Sequence, residues 1–187
     1  MDSLPNQGPY ILYLGRICQA KGLGFLIAAF QEFLLRNPES KLNLVLVGKK
    51  DTDFILPKSD RLHYLGFVDE AKKFALIKQS LCVVNPSQYE SLSMIAIEAM
   101  ACLKPLLLNE ASEVLHYYCQ QVETCFGYSS LDTFIDQLSV IHQQQWQLPL
   151  AQSQLMRAKI WSEQHYSWTA VMNAYVEVPN FNDLTQA

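Results

Sequence analysis

The sequence predicts an α/β fold, a doubly wound parallel sheet of about six strands between two layers of helices. Short β-rich apolar runs alternate with longer helical patterns, which is typical of a parallel sheet with crossover helices. With 187 residues and 50% hydrophobic content, the chain can bury the core of one medium domain. We expect this Rossmann-like domain to span residues 1–178 and a polar tail to follow at 179–187.

The chain begins with a strand, a helix and a second strand. The run YILYL at 10–14 predicts the first strand, which ends at a glycine. Residues 23–36 have helical periodicity and stop before Asn37-Pro38, because the residue before a proline is disfavoured in a helix. The run LNLVLV at 42–47 predicts the second strand, which again ends at a glycine.

Two shorter strands flank the next helix. Residues 61–65 predict the third strand, and Asp69 is a suitable N-cap for a helix over 69–79. The run LCVVN at 81–85 predicts the fourth strand, closed by a proline. We expect the segment 87–91 to open the helix that follows, with its backbone N–H groups directed at the sheet edge.

The remaining third alternates in the same way. Residues 105–109 and 124–128 predict the fifth and sixth strands. Helical patterns follow at 131–143, 150–165 and 167–176. In such a sheet ligands bind outside the carboxyl ends of the strands, so the loops after those ends are the candidate site.

Composition excludes several classes of function. The net charge is −4 with no run of like charge, so we expect no nucleic-acid partner. Apolar stretches are interrupted well before about 18 residues, so no membrane span is expected. Five cysteines lack any CxxC pair, which indicates reduced thiols in a cytoplasmic protein and no metal site. No GxGxxG, GxxxxGK[ST], HExxH or GxSxG motif occurs.

The loop GRICQAKG after the first strand carries two cations, Arg16 and Lys21. Held together at the carboxyl edge of the sheet, they would repel each other unless an anion lay between them, and a diphosphate suits that position. The alternative is two solvated loop charges.

Two carboxylates, Glu90 and Glu98, flank the start of an apolar helix. Glu98 is the only carboxylate from Leu92 to Leu103, and burying it without a partner would be costly. A helical path would separate the two groups by about 12 Å, which suggests that they hold different parts of one elongated ligand. Glu98 could accept two vicinal hydroxyls, as the acidic residue of dinucleotide folds does for ribose. The alternatives are a core carboxylate for Glu98 and an exposed side chain for Glu90.

Taken together, these segments resemble the donor-binding, carboxyl-terminal half of a retaining glycosyltransferase of the GT-B type, in the group 1 or family 4 glycosyl transferases. The matching segments, in family order, are LGRICQAKG, LVLVG, LGFVDEAK, NPSQYESLSMIAIEAMACLKP and a late YSW. The chain departs from the family where Glu90-Ser91-Leu92-Ser93 replaces EGFG and Leu103 replaces a glycine before the proline.

The resemblance implies a donor site for a UDP-, GDP- or ADP-sugar that needs no cofactor and no divalent metal. Its catalytic residues would be Arg16, Lys21 and Glu90. Its donor-binding residues would be Gly15, Arg16, Lys21, Gly66, Phe67, Val68, Ser91, Leu92 and Glu98. Arg16 and Lys21 would bind the diphosphate, Glu98 the ribose, the backbone at 66–68 the base, and Glu90 with the amides after it the transferred sugar.

The resemblance also implies a partner. A GT-B enzyme has a second Rossmann-like domain ahead of this one for the acceptor, so we expect this chain to be part of a longer enzyme or a truncated gene product, inactive alone. Such an enzyme would work in cell-envelope polysaccharide synthesis, with membrane contact at the inner face through the amino-terminal domain. Rival interpretations are a degenerate, non-catalytic binding module, favoured by the missing glycines, and a GT-B type epimerase or phosphorylase.

Overall fold

The computed structural model describes residues 8–171 of the chain. Six parallel strands form one sheet in the order β3-β2-β1-β4-β5-β6. The strands are β1 Tyr10–Leu14, β2 Asn43–Val47, β3 Leu62–Tyr64, β4 Cys82–Asn85, β5 Leu106–Asn109 and β6 Cys125–Tyr128. The helices are α1 Leu23–Arg36, α2 Glu70–Gln79, α3 Met94–Ala101, α4 Glu113–Gln121, α5 Leu131–Gln143 and α6 Pro149–Tyr166, and a short 3-10 turn covers Gln19–Lys21. The predicted doubly wound α/β fold is confirmed.

The sheet has a core on each face because successive strand residues point to opposite sides. In β1, Ile11 and Tyr13 pack with α1 and α5 in one core. Tyr10 and Leu12 pack in the other core, to which α2, α3, α4 and α6 contribute. Every residue of β2, β4 and β5 is buried, as expected for parallel strands covered on both faces.

Two helix predictions need correction. The helix after β4 begins at Met94, not at 87–91, because residues 86–93 form a loop tied down by side-chain hydrogen bonds. Helix α4 was not predicted, since it is short and polar overall, with Leu115 and Tyr118 as its buried residues. The predicted N-cap is confirmed, because the Asp69 carboxylate accepts from the Lys72 amide.

The carboxyl-terminal predictions are tested only in part. Helix α6 confirms the helix expected at 150–165, and residues 168–171 are helical. The rest of the segment predicted at 167–176, and the tail at 179–187, lie outside the described residues.

Helix α3 ends in a left-handed turn that a leucine occupies. Leu103 has φ 58°. Its amide donates to the Met100 carbonyl, and the Lys104 amide donates to the Ala99 carbonyl, both at 3.0 Å. This is the Schellman pattern, in which glycine is the usual residue. The backbone therefore keeps the conformation for which the family uses glycine.

Candidate functional site

The site lies at the carboxyl edge of the sheet, where β1 and β4 are neighbours. From β1 the chain crosses to β2 on one side, and from β4 it crosses to β5 on the other. The loops after β1 and β4 therefore leave in opposite directions and open a crevice between them. In open α/β sheets this topological switch point is where ligands bind.

A glycine brings the two loops of the crevice together. Gly22 has a left-handed backbone, and a Cβ there would lie 2.3 Å from the carbonyl oxygen of Pro86. Any other residue would push the two loops apart. Lys21, the residue before it, is thereby set beside the loop that follows β4. Close packing against Pro86 therefore explains why a glycine follows Lys21 in this chain, as in the family's KG pair.

Lys21 and Glu90 meet across the crevice. The ammonium Nζ of Lys21 lies 2.9 Å from Oε1 of Glu90, with side chains 34% and 15% exposed. A lysine ammonium has three donors, so this contact leaves others free for an anion. Arg16 and Lys21 are predicted to need an anion between them, and the described structure gives Lys21 the Glu90 carboxylate as a partner.

Hydrogen bonds and close packing hold the backbone at Arg16 and Gly15. The Tyr13 hydroxyl donates to the Arg16 carbonyl oxygen at 2.8 Å. Burial raises the pKa of Tyr13, so this donor stays protonated. The Gly15 amide donates to Val47 in β2, and Gly48 packs directly against Gly15. The guanidinium itself is exposed.

Arg16 and Lys21 line the same cavity. Its volume is about 610 Å³, within the range of small-molecule sites. The loop after β2 forms the other wall, with Asp51 and Asp53 among the lining residues. Lys50 holds that loop, because its ammonium donates to the carbonyls of Asp51 and Phe54. The two predicted cations are thus brought together beside a space large enough for part of a nucleotide sugar.

Two buried asparagines at strand ends position the loop after β4. Asn85 accepts from the Ser87 amide at 3.0 Å and donates to the Ser93 hydroxyl at 2.9 Å. Asn109, at the end of β5, donates to the Pro86 carbonyl at 3.0 Å. The sequence reasoning missed these residues as site determinants, although asparagine at the end of two apolar strands was a visible signal.

Ser93 takes the left-handed conformation for which the family has glycine. Its φ is 55° and its side chain is buried. The Tyr118 hydroxyl of α4 donates to the carbonyl of Leu92, just before it. Ser91 is exposed, and Leu92 is partly so. The replacement of the second glycine by Ser93 therefore keeps a left-handed backbone at this position.

Glu98 also has a cationic partner, one that the sequence did not predict. Its Oε1 accepts from Nζ of Lys73 at 2.7 Å, and the two side chains are 23% and 22% exposed. Lys73 stands in the first turn of α2, directly after the loop predicted to hold the base. The expectation that this carboxylate would need a partner is confirmed.

The loop after β3 is open to a ligand. Gly66 has φ 68°, and nothing lies within 4 Å of where its Cβ would be. Its carbonyl accepts from the Gly48 amide at 2.8 Å, which holds it beside the loop after β2. Phe67 is 85% exposed, whereas Val68 packs against the core. An aromatic face is thus presented to solvent at the same edge.

Two further features of the described residues bear on function. Between residues 8 and 171, no group of three or more His, Cys, Asp or Glu side chains could hold a metal ion. No helix in that range is long and apolar enough to cross a membrane.

The family of this chain follows from a sequence comparison. Residues 8–144 match the family described as glycosyl transferases group 1, which is well over half of the chain. The chain belongs to this family. An uncharacterized glycosyltransferase of Methanocaldococcus jannaschii is 30% identical over 125 residues, covering 63% of this chain and 31% of that protein. A phosphatidyl-myo-inositol mannosyltransferase of Mycobacterium tuberculosis is 32% identical over 108 residues, covering 54% and 28%.

Solved structures of glycosyltransferases share the fold. An α,α-trehalose-phosphate synthase (UDP-forming) from Burkholderia vietnamiensis superposes with a TM-score of 0.72 at 13% identity, covering 90% of this chain and 44% of that one. A sucrose-phosphate synthase from Thermosynechococcus elongatus gives 0.70 at 21% identity, covering 92% and 45%. The fold is therefore that of GT-B glycosyltransferases. The chain spans about a third of the length of the curated relatives it matches.

Proposed function

We propose that this chain is the donor-binding domain of a retaining glycosyltransferase that takes a sugar from a nucleoside diphosphate sugar. The observation that carries this proposal is the meeting of Lys21 and Glu90 at the switch point of the sheet, 2.9 Å apart, with Arg16 lining the adjoining cavity. A structure from E. coli that is bound with UDP-2-fluoro glucose shares the fold, with a TM-score of 0.72. Membership of the family supports the reaction class.

The two cations suit the departing group of such a transfer. When the bond between the anomeric carbon and the diphosphate oxygen breaks, its electron pair goes to the diphosphate. Arg16 and Lys21 lie where they can stabilise that charge electrostatically, with no metal ion assigned to the task. Lys21 can keep Glu90 and still donate to a phosphate oxygen, since its ammonium has three N–H groups.

The two carboxylates have different tasks in this proposal. Glu90 is assigned to a hydroxyl of the transferred sugar, because it faces the crevice beside Lys21. Glu98 is assigned to the ribose, because it lies on α3 next to the turn of α2 that follows Gly66. The base would then lie along the backbone at 66–68. The acceptor, and the groups that act on its hydroxyl, would come from a second domain.

Calorimetry on this chain tests the proposal. UDP, GDP and ADP are titrated into the wild type, and at least one should bind with a dissociation constant between micromolar and millimolar. Arg16→Ala or Glu98→Ala should abolish that binding, while Arg36→Ala, which removes an exposed arginine paired with Glu32 and Asp132, should leave it unchanged. The proposal fails if the wild type binds none of the three nucleotides at millimolar concentration.

A further inference from the structure

Lys73 is the unexpected partner in the candidate site. Its ammonium is held from three sides, by Oε1 of Glu98 at 2.7 Å, by Oε1 of Glu70 at 3.9 Å and by the ring of Phe74, whose centroid is 4.5 Å away. Phe74 packs against the core. The ammonium therefore has three contacts beside the candidate ribose site.

The backbone aims Lys73 at the carboxyl edge. Asp69 caps α2 by accepting from the Lys72 amide at 2.7 Å, and the Lys73 amide donates to the Asp69 carbonyl at 2.9 Å. The first turn of α2 is therefore fixed directly after the loop 66–68. Lys73 spans from this turn to Glu98 on α3, so the ion pair lies between the two segments to which base and ribose are assigned.

The pair has unused capacity for hydrogen bonds. Among residues 8–171, Lys73 is the side chain that donates to Glu98, and it reaches only Oε1. Oε2 of Glu98 is thus an available acceptor. The ammonium of Lys73 has further N–H groups available as donors. The carboxylate can therefore accept from one hydroxyl while the ammonium beside it donates to the oxygen of the neighbouring hydroxyl, and a vicinal diol can use both contacts.

We propose that Lys73 and Glu98 together recognise the ribose diol of the donor, with Lys73 as a specificity-determining residue. One ribose hydroxyl donates to Oε2 of Glu98, and the oxygen of the other accepts from Nζ of Lys73. This proposal rests on the proposed function, since it assumes a nucleoside diphosphate in the crevice. It adds a second residue, on a different helix, to the ribose contact and predicts a preference for ribonucleotides over deoxynucleotides.

The test is a calorimetric comparison of the nucleoside diphosphate that binds the wild type best with its 2′-deoxy and 3′-deoxy forms. The wild type should prefer the ribonucleotide by about tenfold over at least one deoxy form, the size of one hydrogen bond to a charged group. For the deoxy form that lacks the hydroxyl facing Lys73, Lys73→Met should reduce the ratio to about twofold or less, because that form makes no contact with the lost ammonium. Lys72→Met, on the exposed side of the same turn, is the matched control and should keep the ratio.

A ratio of affinities separates recognition from a structural role. Loss of folding would lower the affinity for all three nucleotides equally and leave the ratio unchanged. If Lys73→Met does not fold, Lys73→Gln keeps a donor of similar reach without the charge and should retain part of the preference. A Lys73→Met protein with the wild-type ratio overturns the assignment of Lys73 alone. A wild type that binds no nucleoside diphosphate overturns the proposed function as well.

Discussion

Glu90→Gln removes one negative charge from the crevice and leaves the shape of the side chain almost unchanged. In the free protein Glu90 neutralises part of the charge that Lys21 offers to an incoming diphosphate, since the two groups are 2.9 Å apart. It also repels the phosphates. We therefore expect the variant to bind a nucleoside diphosphate more tightly than the wild type does.

The size of the effect follows from the exposure of the pair. The side chains of Lys21 and Glu90 are 34% and 15% exposed, so water screens part of their attraction. Partly exposed ion pairs contribute up to about 1 kcal/mol. Releasing Lys21 from such a pair lowers the dissociation constant of the diphosphate by at most about fivefold. The same loss lowers the free energy of unfolding by no more than about 1 kcal/mol.

Calorimetry measures how Glu90→Gln changes the affinity for a nucleoside diphosphate and for the matching nucleotide sugar. The diphosphate should bind up to about fivefold more tightly to Glu90→Gln, whereas the nucleotide sugar should gain less, because the variant loses its carboxylate contact to the sugar. Glu32→Gln is the control, since it removes a carboxylate paired with Arg36 on α1 at 2.8 Å, and it should change neither affinity. Weaker diphosphate binding by Glu90→Gln would refute the reasoning.

Three further predictions concern stability and are measured by denaturant or thermal unfolding. Leu103→Gly should be more stable than Leu103→Ala by about 1 kcal/mol, because both lose the side chain but only glycine avoids the cost of the left-handed backbone; equal stability would contradict the strain argument. Ser93→Ala should cost about 1–3 kcal/mol, because it leaves the amide of Asn85 without its acceptor, and a neutral effect would contradict that role. Burial raises the pKa of Tyr10 to about 12, above the value of about 10 in an unfolded chain, so its contribution to stability should be full below pH 10 and should be lost as the pH rises towards 12. Tyr10→Phe should make the fall in stability over this pH range shallower, and an unchanged pH profile would contradict the assignment.

Most of the sheet could be predicted because β1, β2, β4 and β5 are compact apolar runs with clear ends. Gly15 and Gly48 directly follow the first two strands, Gly66 lies two residues after β3, and Asn85 and Asn109 end β4 and β5. The strand order was not evident from these runs. It depends on contacts between segments far apart in the chain, of which the pairing of β1 with β4 is the most consequential for the site.

The candidate site was predicted less completely, because it too depends on contacts between segments far apart in the chain. Four charged residues stand out in the sequence because they lie in loops after predicted strands or in an apolar helix. They are Arg16, Lys21, Glu90 and Glu98. Lys73 lies in an ordinary amphipathic helix, and its role depends on a contact across 25 residues of sequence. The start of α3 was placed too early because the sequence does not show that buried side chains, Asn85 among them, hold residues 86–93 as a loop.

A nucleoside diphosphate should bind in the crevice between β1 and β4. An NMR titration of the ¹⁵N-labelled chain with UDP, GDP and ADP locates that site from the amides whose shifts change. Saturable changes should be concentrated at 15–22, 66–68 and 86–93, around this crevice. Saturable changes confined to the opposite edge of the sheet, or no change with any of the three nucleotides at millimolar concentration, would contradict this prediction.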